Sequence, residues 1–211
     1  MIKLKGRNYS VDEFGVVTQM DHKPYVYDPD YSAIYDREEY KIQSDLLQAM
    51  RLGFVCAAHG GKVRTLMDVG YGNGAFIMYA KKYLQHVYGF DVTGVDLPGV
   101  YIMPEFIKAD IYCFWDVLEH FADCSFLRNL PCETICISLP YCHFLTEGFS
   151  WMETHYKHLK PDEHIRHFNE LSLKNFMQSY GWRCVAISGH EDIVRRSAHG
   201  LQNILTMAFK R

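Results

Sequence analysis

The residues best suited to chemistry lie in the stretch MDVGYGNGAFIMYAKKYL, which spans residues 67 to 84. Gly70, Gly72 and Gly74 occupy alternate positions after an apolar run, and Asp68 stands near the end of that run. A glycine-rich turn between a strand and a helix lets backbone N–H groups and the helix N-terminus approach a ligand that side chains would block. The stretch therefore predicts a binding site for a nucleotide-like cofactor.

Two cofactors fit these glycines. Gly70, Gly72 and Ala75 match the G-x-G-x-x-(G/A) fingerprint of dinucleotide sites, in which a pyrophosphate sits on the helix N-terminus. Asp68 and the three glycines also match D-x-G-x-G-x-G, the turn that cradles S-adenosylmethionine. A dinucleotide does not need an acid two residues before the first glycine, whereas the methyl donor has a free α-amino group for such an acid to hold. Asp68 therefore favours the methyl donor.

Both cofactors also contain a ribose, whose hydroxyls require an acid at the tip of the next strand. Asp96 in VTGVDL is the candidate. The alternative is a solvated aspartate at the end of a strand. Asp96 therefore supports binding of a nucleoside but does not distinguish between the two cofactors.

A sheet is needed to position these residues, and the hydrophobic pattern predicts one. Strands are expected at 63–70, 91–97, 110–115, 134–140, 182–188 and 204–210, and helices at 37–55, 75–85 and 170–181. Strands that alternate with helices predict a Rossmann-like, doubly wound and mostly parallel α/β sheet. The last two strands follow one another and predict an antiparallel hairpin. The Tyr-rich segment 1–35 is expected to form short strands and turns, within 9–20 and 23–31.

Composition narrows the class of protein. The 211 residues are 48% hydrophobic and 22% charged, which is typical of a globular chain. A net charge of -3 and the lack of a concentrated basic face argue against a nucleic-acid partner. Seven scattered cysteines and an N-terminus without a signal-like apolar core predict a reducing, cytoplasmic setting. No apolar run has the length of a membrane span.

An ordered set of motifs resembles a known family. TLMDVGYGNGAFI, VTGVDL, DIYCFWDVLEHFAD, ICISLPY and DEHIRHFNELSLKNFMQSYGWRCVAI follow one another from about residue 63 to the end. Together they resemble the class I S-adenosylmethionine-dependent methyltransferases. The branch with DVLEH after the fourth sheet strand and HIRHF before the last hairpin is the most similar. It includes ubiquinone-biosynthesis-type O-methyltransferases and enzymes that act on sugars and other small metabolites.

This resemblance implies roles for individual residues. Asp116 and His120 would open onto the substrate cleft, and His167 would contact the substrate. The residues implied in cofactor binding are Asp68, Gly70, Tyr71, Gly72, Gly74, Asp96, Leu97 and Trp115. Of these, Asp96 would bind the ribose, Leu97 the adenine edge, and Trp115 the region near the reacting methyl group.

The sequence departs from the family pattern after Asp96. Only 13 residues lie between Asp96 and Asp110, where the family has a helix, a strand and a further helix. The third sheet strand and its adenine-contacting acid are therefore expected to be shortened or missing, and neither Glu105 nor Asp110 can be assigned to that acid.

Methyl transfer to a hydroxyl needs alignment and removal of one proton, so a single histidine would suffice. His120 is the first candidate for the general base, because it follows a strand whose carboxyl end faces the cofactor. The alternative is a structural histidine that holds the turn LEHFAD.

The stretch 155–168 contains four histidines and offers further candidates, of which His164 is the second possible base. Two roles for this stretch remain equally open. It could form a lid or a wall of the substrate cleft, or His164 and His167 could cap the following helix and pack against it. Two H-x-x-H pairs without a cysteine set are weak support for zinc, and we expect no metal.

The expected organisation is one methyltransferase domain over 1–211, with an N-terminal cap and helix at 1–58 and a cofactor-binding core at 63–211 that has an insertion at 141–168. The N-terminal tyrosines 25, 27, 31, 35 and 40 could line the cleft, although ordinary packing is the better expectation for any one of them. The expected function is direct methyl transfer from S-adenosylmethionine, giving S-adenosylhomocysteine, to an oxygen or nitrogen of a small molecule. An NAD-dependent oxidoreductase or epimerase and a non-catalytic cofactor-binding protein are the alternatives. The acceptor and the oligomeric state are not predicted.

Overall fold

The computed structural model describes residues 1–27, 44–92, 96–98, 100–195 and 200–211. Its strands are β1 (Ile2–Leu4), β2 (Arg7–Val11), β3 (Val17–Gln19), β4 (Thr65–Val69), β5 (His86–Phe90), β6 (Tyr101–Ile102), β7 (Ile111–Trp115), β8 (Thr134–Pro140), β9 (Arg166–His167), β10 (Arg183–Ser188) and β11 (Ile204–Lys210). Its α-helices are α1 (Ser44–His59), α2 (Ala75–Ala80), α3 (Phe144–Thr154) and α4 (Glu170–Ser179).

The main sheet has seven strands in the order β10-β11-β8-β7-β4-β5-β6. β4 pairs in parallel with β5 and β7, and β7 pairs in parallel with β8. β11 is antiparallel to both β8 and β10. This arrangement confirms the predicted Rossmann-like sheet with its C-terminal hairpin. The carboxyl ends of the parallel strands meet at one edge, where open α/β sheets bind their ligands.

Helices cover both faces of this sheet because alternate side chains of a strand point to opposite sides. Met67 and Phe114 belong to a buried cluster that includes the apolar side of α4. Leu66 and Cys113, the neighbours of those residues in sequence, belong to a second cluster with side chains of α1 and α2. The two clusters enclose the sheet as the predicted doubly wound fold requires.

The second strand of the sheet lies earlier than predicted. It was expected at 91–97, but β5 spans His86–Phe90. The sequence HVYGF has two aromatic residues and a valine and no acidic residue, whereas DVTGVDL has two aspartates, which strands disfavour. The strand therefore ends where the first of those aspartates begins.

The third strand is shortened, as predicted. β6 has two residues, which pair in parallel with β5. No helix occurs among the described residues between β5 and β7. Aromatic side chains take the place of helices on this part of the sheet, where Phe106 packs against Phe90, Tyr112 and Phe126 with ring centroids 5.0, 5.7 and 5.5 Å apart.

The helices differ from prediction mainly at their ends. α1 ends at His59 rather than at 55, before Gly60 with φ of 67°, and the expected start at 37 lies outside the described residues. α2 ends at Ala80, beyond which hydrogen bonds from Lys82 and Tyr83 to carbonyls three residues earlier form a tighter turn.

The predicted helix at 170–181 is confirmed as α4, but the expectation that His164 and His167 cap it is wrong. Its cap is Asn169, which exchanges hydrogen bonds with Ser172. Asparagine and serine are favoured at helix starts because their side chains bind backbone amides that lack partners inside the helix.

A second, four-stranded sheet forms the cap of the molecule. Its order is β1-β2-β3-β9, with antiparallel pairing throughout. We call it the cap sheet. β3 and most of β2 fall within 9–20, where strands were predicted, whereas β1 lies before that range. Residues 23–27 contain no strand, and 28–31 lie outside the described residues.

The cap sheet packs on the insertion that follows β8. Leu4, Tyr9 and Val17 share a buried cluster with side chains of α3 and the turn after it. The N-terminus and the insertion thus fold together as one layer above the carboxyl edge of the main sheet. Among the residues described, no helix is both long enough and apolar enough to cross a membrane.

Candidate active site

The glycine turn follows β4 at the carboxyl edge of the main sheet. The φ angles of Gly70, Gly72 and Gly74 are 69°, 53° and 76°, a region that favours glycine. A Cβ at Gly70 would lie 2.4 Å from Val117 and one at Gly74 would lie 2.4 Å from Leu97, whereas a Cβ at Gly72 would meet nothing within 4 Å. Two of the glycines are thus required by packing, and Gly72 faces open space.

The acid that meets this turn is Asp91, not Asp96. Asp91 follows β5 directly, and its Oδ2 accepts a hydrogen bond of 3.0 Å from the amide of Gly72. Asp96 lies five positions further along and is exposed. Sequence analysis missed Asp91 because it placed the strand too late, although the run HVYGF directly before Asp91 was the available signal.

Asp68 lies beneath the turn, at the end of β4. It is 2% exposed, and its Oδ1 has no hydrogen-bond partner within the described part of the chain. Burial raises the pKa of this carboxyl well above its usual value; the charge of Arg51 lowers it and the charge of Asp91 raises it further. A buried acceptor of this kind is complemented by a ligand that donates a hydrogen bond or has a positive charge. Tyr71, in the turn itself, is buried against Gly89.

Trp115 ends β7 and is enclosed on two sides. Its ring packs edge-on against Phe76 with centroids 5.2 Å apart, and the guanidinium of Arg51 lies 4.9 Å from the ring centroid. Its indole N–H has no acceptor among the residues that the structure describes. Leu97, the predicted adenine contact, lies half-buried on Gly74.

Asp116, the next residue, belongs to a network of ion pairs. It has φ of 57° and accepts hydrogen bonds of 2.8 and 2.9 Å from Arg195 and one of 3.1 Å from Arg51. Both arginines also bind Glu191. Burial alone would raise the pKa of Asp116, but the two arginines outweigh it and hold that pKa below the usual range. Asp116, the predicted substrate residue, is therefore engaged by two cations, and no local sequence pattern indicates this contact.

His120 and His164 do come together, and Glu119 joins them. We call Glu119, His120 and His164 the histidine cluster. The rings of the two histidines are 4.7 Å apart, and the hydroxyl of Tyr27 lies 2.8 Å from Nδ1 of His120. Burial lowers the pKa of His120 to about 4 and that of His164 well below its usual value. Both rings are therefore neutral near pH 7.

Glu119 is the member that sequence analysis did not name. It is 2% exposed, and neither of its carboxylate oxygens has a hydrogen-bond partner among the described residues. Burial raises the pKa of Glu119 well above its usual value, and the negative charge of Asp116 adds to this effect. The string DVLEH contained this residue, but only its aspartate and its histidine were considered.

The other predicted residues lie further inside the cap. His167 is 1% exposed on β9, with its ring against Tyr9 and Tyr156. His158 makes a hydrogen bond of 3.0 Å to Asn203. Tyr25 contacts Tyr27, with ring centroids 5.0 Å apart. The predicted cleft residues Tyr31, Tyr35 and Tyr40 lie outside the described residues.

Solved structures resemble this chain, although its sequence has no match among known family models or curated proteins. The 1,6-didemethyltoxoflavin-N1-methyltransferase of Burkholderia thailandensis superposes with a TM-score of 0.56 at 13% identity, over 96% of this chain and 97% of the other. The magnesium protoporphyrin IX methyltransferase of Synechocystis PCC 6803 gives 0.55 at 14% identity, over 90% of each chain. An S-adenosylmethionine-dependent methyltransferase of Mesorhizobium loti gives 0.52 at 14% identity, over 78% of this chain and 98% of the other.

At such low identity the likeness concerns the fold. It extends over 90% or more of this chain for the first two of these enzymes. The chain therefore has the Rossmann-like fold of the class I S-adenosylmethionine-dependent methyltransferases.

Proposed function

We propose that this protein is an S-adenosylmethionine-dependent methyltransferase that transfers a methyl group directly to an oxygen or nitrogen atom of a small molecule. The main support is the glycine turn after β4, whose Gly72 amide is bound by the carboxylate that directly follows β5. A turn with open backbone and an adjacent acid are what a nucleoside-containing cofactor requires.

The choice of cofactor is supported by the sheet and by Asp68. Dinucleotide-binding sheets have six parallel strands in the order 3-2-1-4-5-6, whereas here the antiparallel β11 separates β8 from β10. The unpaired oxygen of Asp68 suits the cationic amino acid end of the methyl donor. Two enzymes of similar structure are described with bound S-adenosylhomocysteine.

The residues present fit this cofactor, which supplies an electrophilic methyl group on its sulfonium sulfur. Asp68 would hold the amino acid end, and the backbone at Gly72 would lie along it. Asp91 would accept hydrogen bonds from the ribose hydroxyls, with the exposed Asp96 as second candidate. Leu97 would border the adenine side, where the shortened β6 leaves little other chain.

On the acceptor side, the histidine cluster, two of whose members follow β7 at the carboxyl edge of the sheet, would supply the group that accepts a proton. His120 is neutral, and its contact with Tyr27 fixes the ring with Nε2 directed away from that hydroxyl. His164 is the second possible base. Asp116, held by Arg51 and Arg195, and the buried His167 are not assigned a substrate contact. A small acceptor agrees with the net charge of -3 and with the enzymes of similar structure that act on a toxoflavin precursor and a protoporphyrin.

Titration calorimetry tests the cofactor and the ribose acid together. We expect the protein to bind S-adenosylhomocysteine and not NADH. Asp91→Asn should weaken this binding by about 5- to 100-fold, because an amide replaces a charged acceptor at a cost of about 1–3 kcal/mol. The matched control, Asp96→Asn, should weaken it less than about threefold, as expected for an exposed group.

Other outcomes decide between the alternatives. Binding of NADH without S-adenosylhomocysteine would overturn the proposed function. A larger loss in Asp96→Asn than in Asp91→Asn would return the ribose role to Asp96. Tight binding with no methyl transfer to a broad panel of hydroxyl and amine acceptors would favour a non-catalytic cofactor-binding protein.

A further inference from the structure

Three side chains, of which two are buried and that of His120 is partly exposed, bring potential metal ligands together beside the carboxyl end of β7. Glu119 and His120 belong to the short 3-10 helix Leu118–His120, and His164 comes from the insertion. One ligand atom of each residue lies within 4.8 Å of the other two. We propose that Glu119, His120 and His164 bind one divalent transition-metal ion.

The chemistry of the three ligands matches such an ion. Two imidazoles and one carboxylate, with further positions open to water or substrate, are a ligand set that zinc and non-haem iron sites use. Ligand atoms about 2.1 Å from a tetrahedral ion lie roughly 3.4 Å from one another. The ligand atoms therefore need to approach one another by up to about 1.4 Å, which changes of the side-chain torsion angles can supply.

The unpaired atoms of the cluster point to a missing partner. Both oxygens of Glu119 and Nδ1 of His164 are buried, and none of the three has a hydrogen-bond partner among the described residues. Leaving a buried polar group without a partner costs about 1–3 kcal/mol. A cation bound between these atoms would satisfy both residues at once.

The surroundings hold the ligands in a suitable orientation. The Tyr27 hydroxyl lies 2.8 Å from Nδ1 of His120, while Nε2 lies 3.9 Å from Oε1 of Glu119, too far for a hydrogen bond. A partner on one ring nitrogen typically orients the other nitrogen toward a metal. Lys160, a cation of the insertion, donates a hydrogen bond of 2.9 Å to Glu163, so its charge is offset.

Sequence analysis expected no metal because it considered only the histidine pairs of the insertion. In the structure, His158 and His167 of those pairs have other surroundings, and the ligand set combines His164 with two residues of the DVLEH string. The carboxylate of Glu119 supplies the negative charge that the histidine pairs lack.

The ion would have a role in the reaction, an extension that rests on the proposed function. An acceptor hydroxyl bound at an open position would have a lowered pKa, as water on zinc has. Its proton would pass to solvent, the methyl group would pass from the sulfonium sulfur to the oxygen, and the neutral thioether would leave. His120 would then act as a ligand rather than as the base, and an oxygen acceptor would be favoured over nitrogen.

Metal binding is measured directly, without an activity assay. The protein is dialysed against EDTA and then buffer, and titrated with ZnCl2, MnCl2 and MgCl2 by calorimetry. We expect one Zn²⁺ per chain, bound at least tenfold more tightly than Mg²⁺, since imidazole ligands favour zinc. Co²⁺ should show the visible absorption of a bound ion. Glu119→Gln, which keeps the shape of the side chain, and His164→Gln should each weaken Zn²⁺ binding at least tenfold.

The control is His86→Ala, which removes an exposed histidine at the start of β5, on the opposite edge of the sheet, and should leave Zn²⁺ binding unchanged. Wild-type protein that takes up no stoichiometric ion, or a Glu119→Gln variant that binds Zn²⁺ as wild type does, would overturn the proposal. If His164→Gln does not fold, the Zn²⁺ affinity of Glu119→Gln decides whether the metal site exists. Titration of the same metal-free samples with S-adenosylhomocysteine separates the two proposals. Cofactor binding without metal binding would overturn only the metal site, and metal binding without cofactor binding would overturn only the proposed function.

Discussion

Glu191 is a buried carboxylate that is held by two arginines of the site. Its side chain is fully buried, and Arg51 donates to it hydrogen bonds of 2.9 and 3.0 Å, with a further one of 2.9 Å from Arg195. Burial alone would raise the pKa of Glu191, but the two arginines outweigh it and lower that pKa below its usual value. The carboxylate is therefore ionised in the folded protein and balances cations that also hold Asp116.

We expect Glu191→Gln to lower the free energy of unfolding by about 3–5 kcal/mol at pH 7, because it leaves the buried Arg51 and the partly exposed Arg195 with one fewer counter-charge. Urea denaturation followed by circular dichroism measures this. The matched control is Glu170→Gln, which breaks an exposed pair with Lys174 and should cost less than about 1 kcal/mol. Equal losses in the two variants would contradict a structural role for the buried network.

The difference in unfolding free energy between wild type and Glu191→Gln should also depend on pH, and the lowered pKa of Glu191 determines the direction. A carboxyl whose pKa is lower in the folded than in the unfolded protein contributes stability above its unfolded pKa of about 4.3, and this contribution is lost as the pH falls through the folded value. The stability difference between wild type and Glu191→Gln should thus be largest near pH 6–7 and shrink as the pH falls below about 4. A difference that grows on acidification would show that Glu191 is protonated in the folded state.

At the scale of elements, the glycines of the turn after β4 have two different roles. Gly70 allows close packing, and Gly72 leaves the backbone open to a ligand. Gly70→Ala places a methyl group 2.4 Å from one methyl of Val117 and 2.9 Å from the other, in addition to the strain of its positive φ, whereas Gly72→Ala meets nothing within 4 Å. We expect losses of about 2–5 kcal/mol for Gly70→Ala, and about 1–2 kcal/mol for Gly72→Ala, from strain alone.

Urea denaturation measures both losses, and calorimetry with S-adenosylhomocysteine should show weaker binding in the folded Gly72→Ala variant. Equal stability losses in the two variants would mean that Val117 moves away at little cost. Unchanged cofactor affinity in Gly72→Ala would remove this part of the turn from the proposed cofactor site.

The elements also show what the sequence could predict. The strands at 134–140 and 204–210 were predicted at their observed bounds because each is a continuous apolar run between charged or turn residues. β5 was placed too late because its five residues, HVYGF, are short and only half-buried, while the following segment has comparable apolar content. That shift of one element moved the expected ribose acid from Asp91 to Asp96.

The rest of the site depends on contacts between distant segments, which a pattern of single residues does not reveal. Arg51 and Glu191 are 140 positions apart, and Tyr27 and His120 are 93 apart. Nothing in the local sequence of α1 indicates that one arginine will be buried against a residue after β10. The glycine turn was predictable because its chemistry lies within one short stretch, whereas the ion-pair network and the histidine cluster are products of the fold.

At the scale of the whole molecule, Asp162 joins the N-terminus to the insertion. Its carboxylate pairs with Arg7 on β2 and accepts hydrogen bonds of 2.9 Å from Gln19 and 3.0 Å from the amide of Lys23. The segment after β3 then leads to Tyr27, which contacts His120. One surface carboxylate thus connects the cap sheet to the chain that reaches the histidine cluster.

Asp162→Asn should therefore loosen the cap locally. Asparagine tolerates the φ of 69° at this position, so the change removes charge without adding backbone strain. Because the ion pair is partly exposed, we expect a modest effect, with amide hydrogen exchange in β2 and β3 rising about three- to tenfold and exchange in β4 and β7 unchanged. Asp123→Asn, at an exposed carboxylate bonded to Ser125, should leave β2 and β3 as they are in wild type. Faster exchange in both sheets alike would mean that the cap and core open together, and that Tyr27 is held over His120 by the whole fold rather than by Asp162.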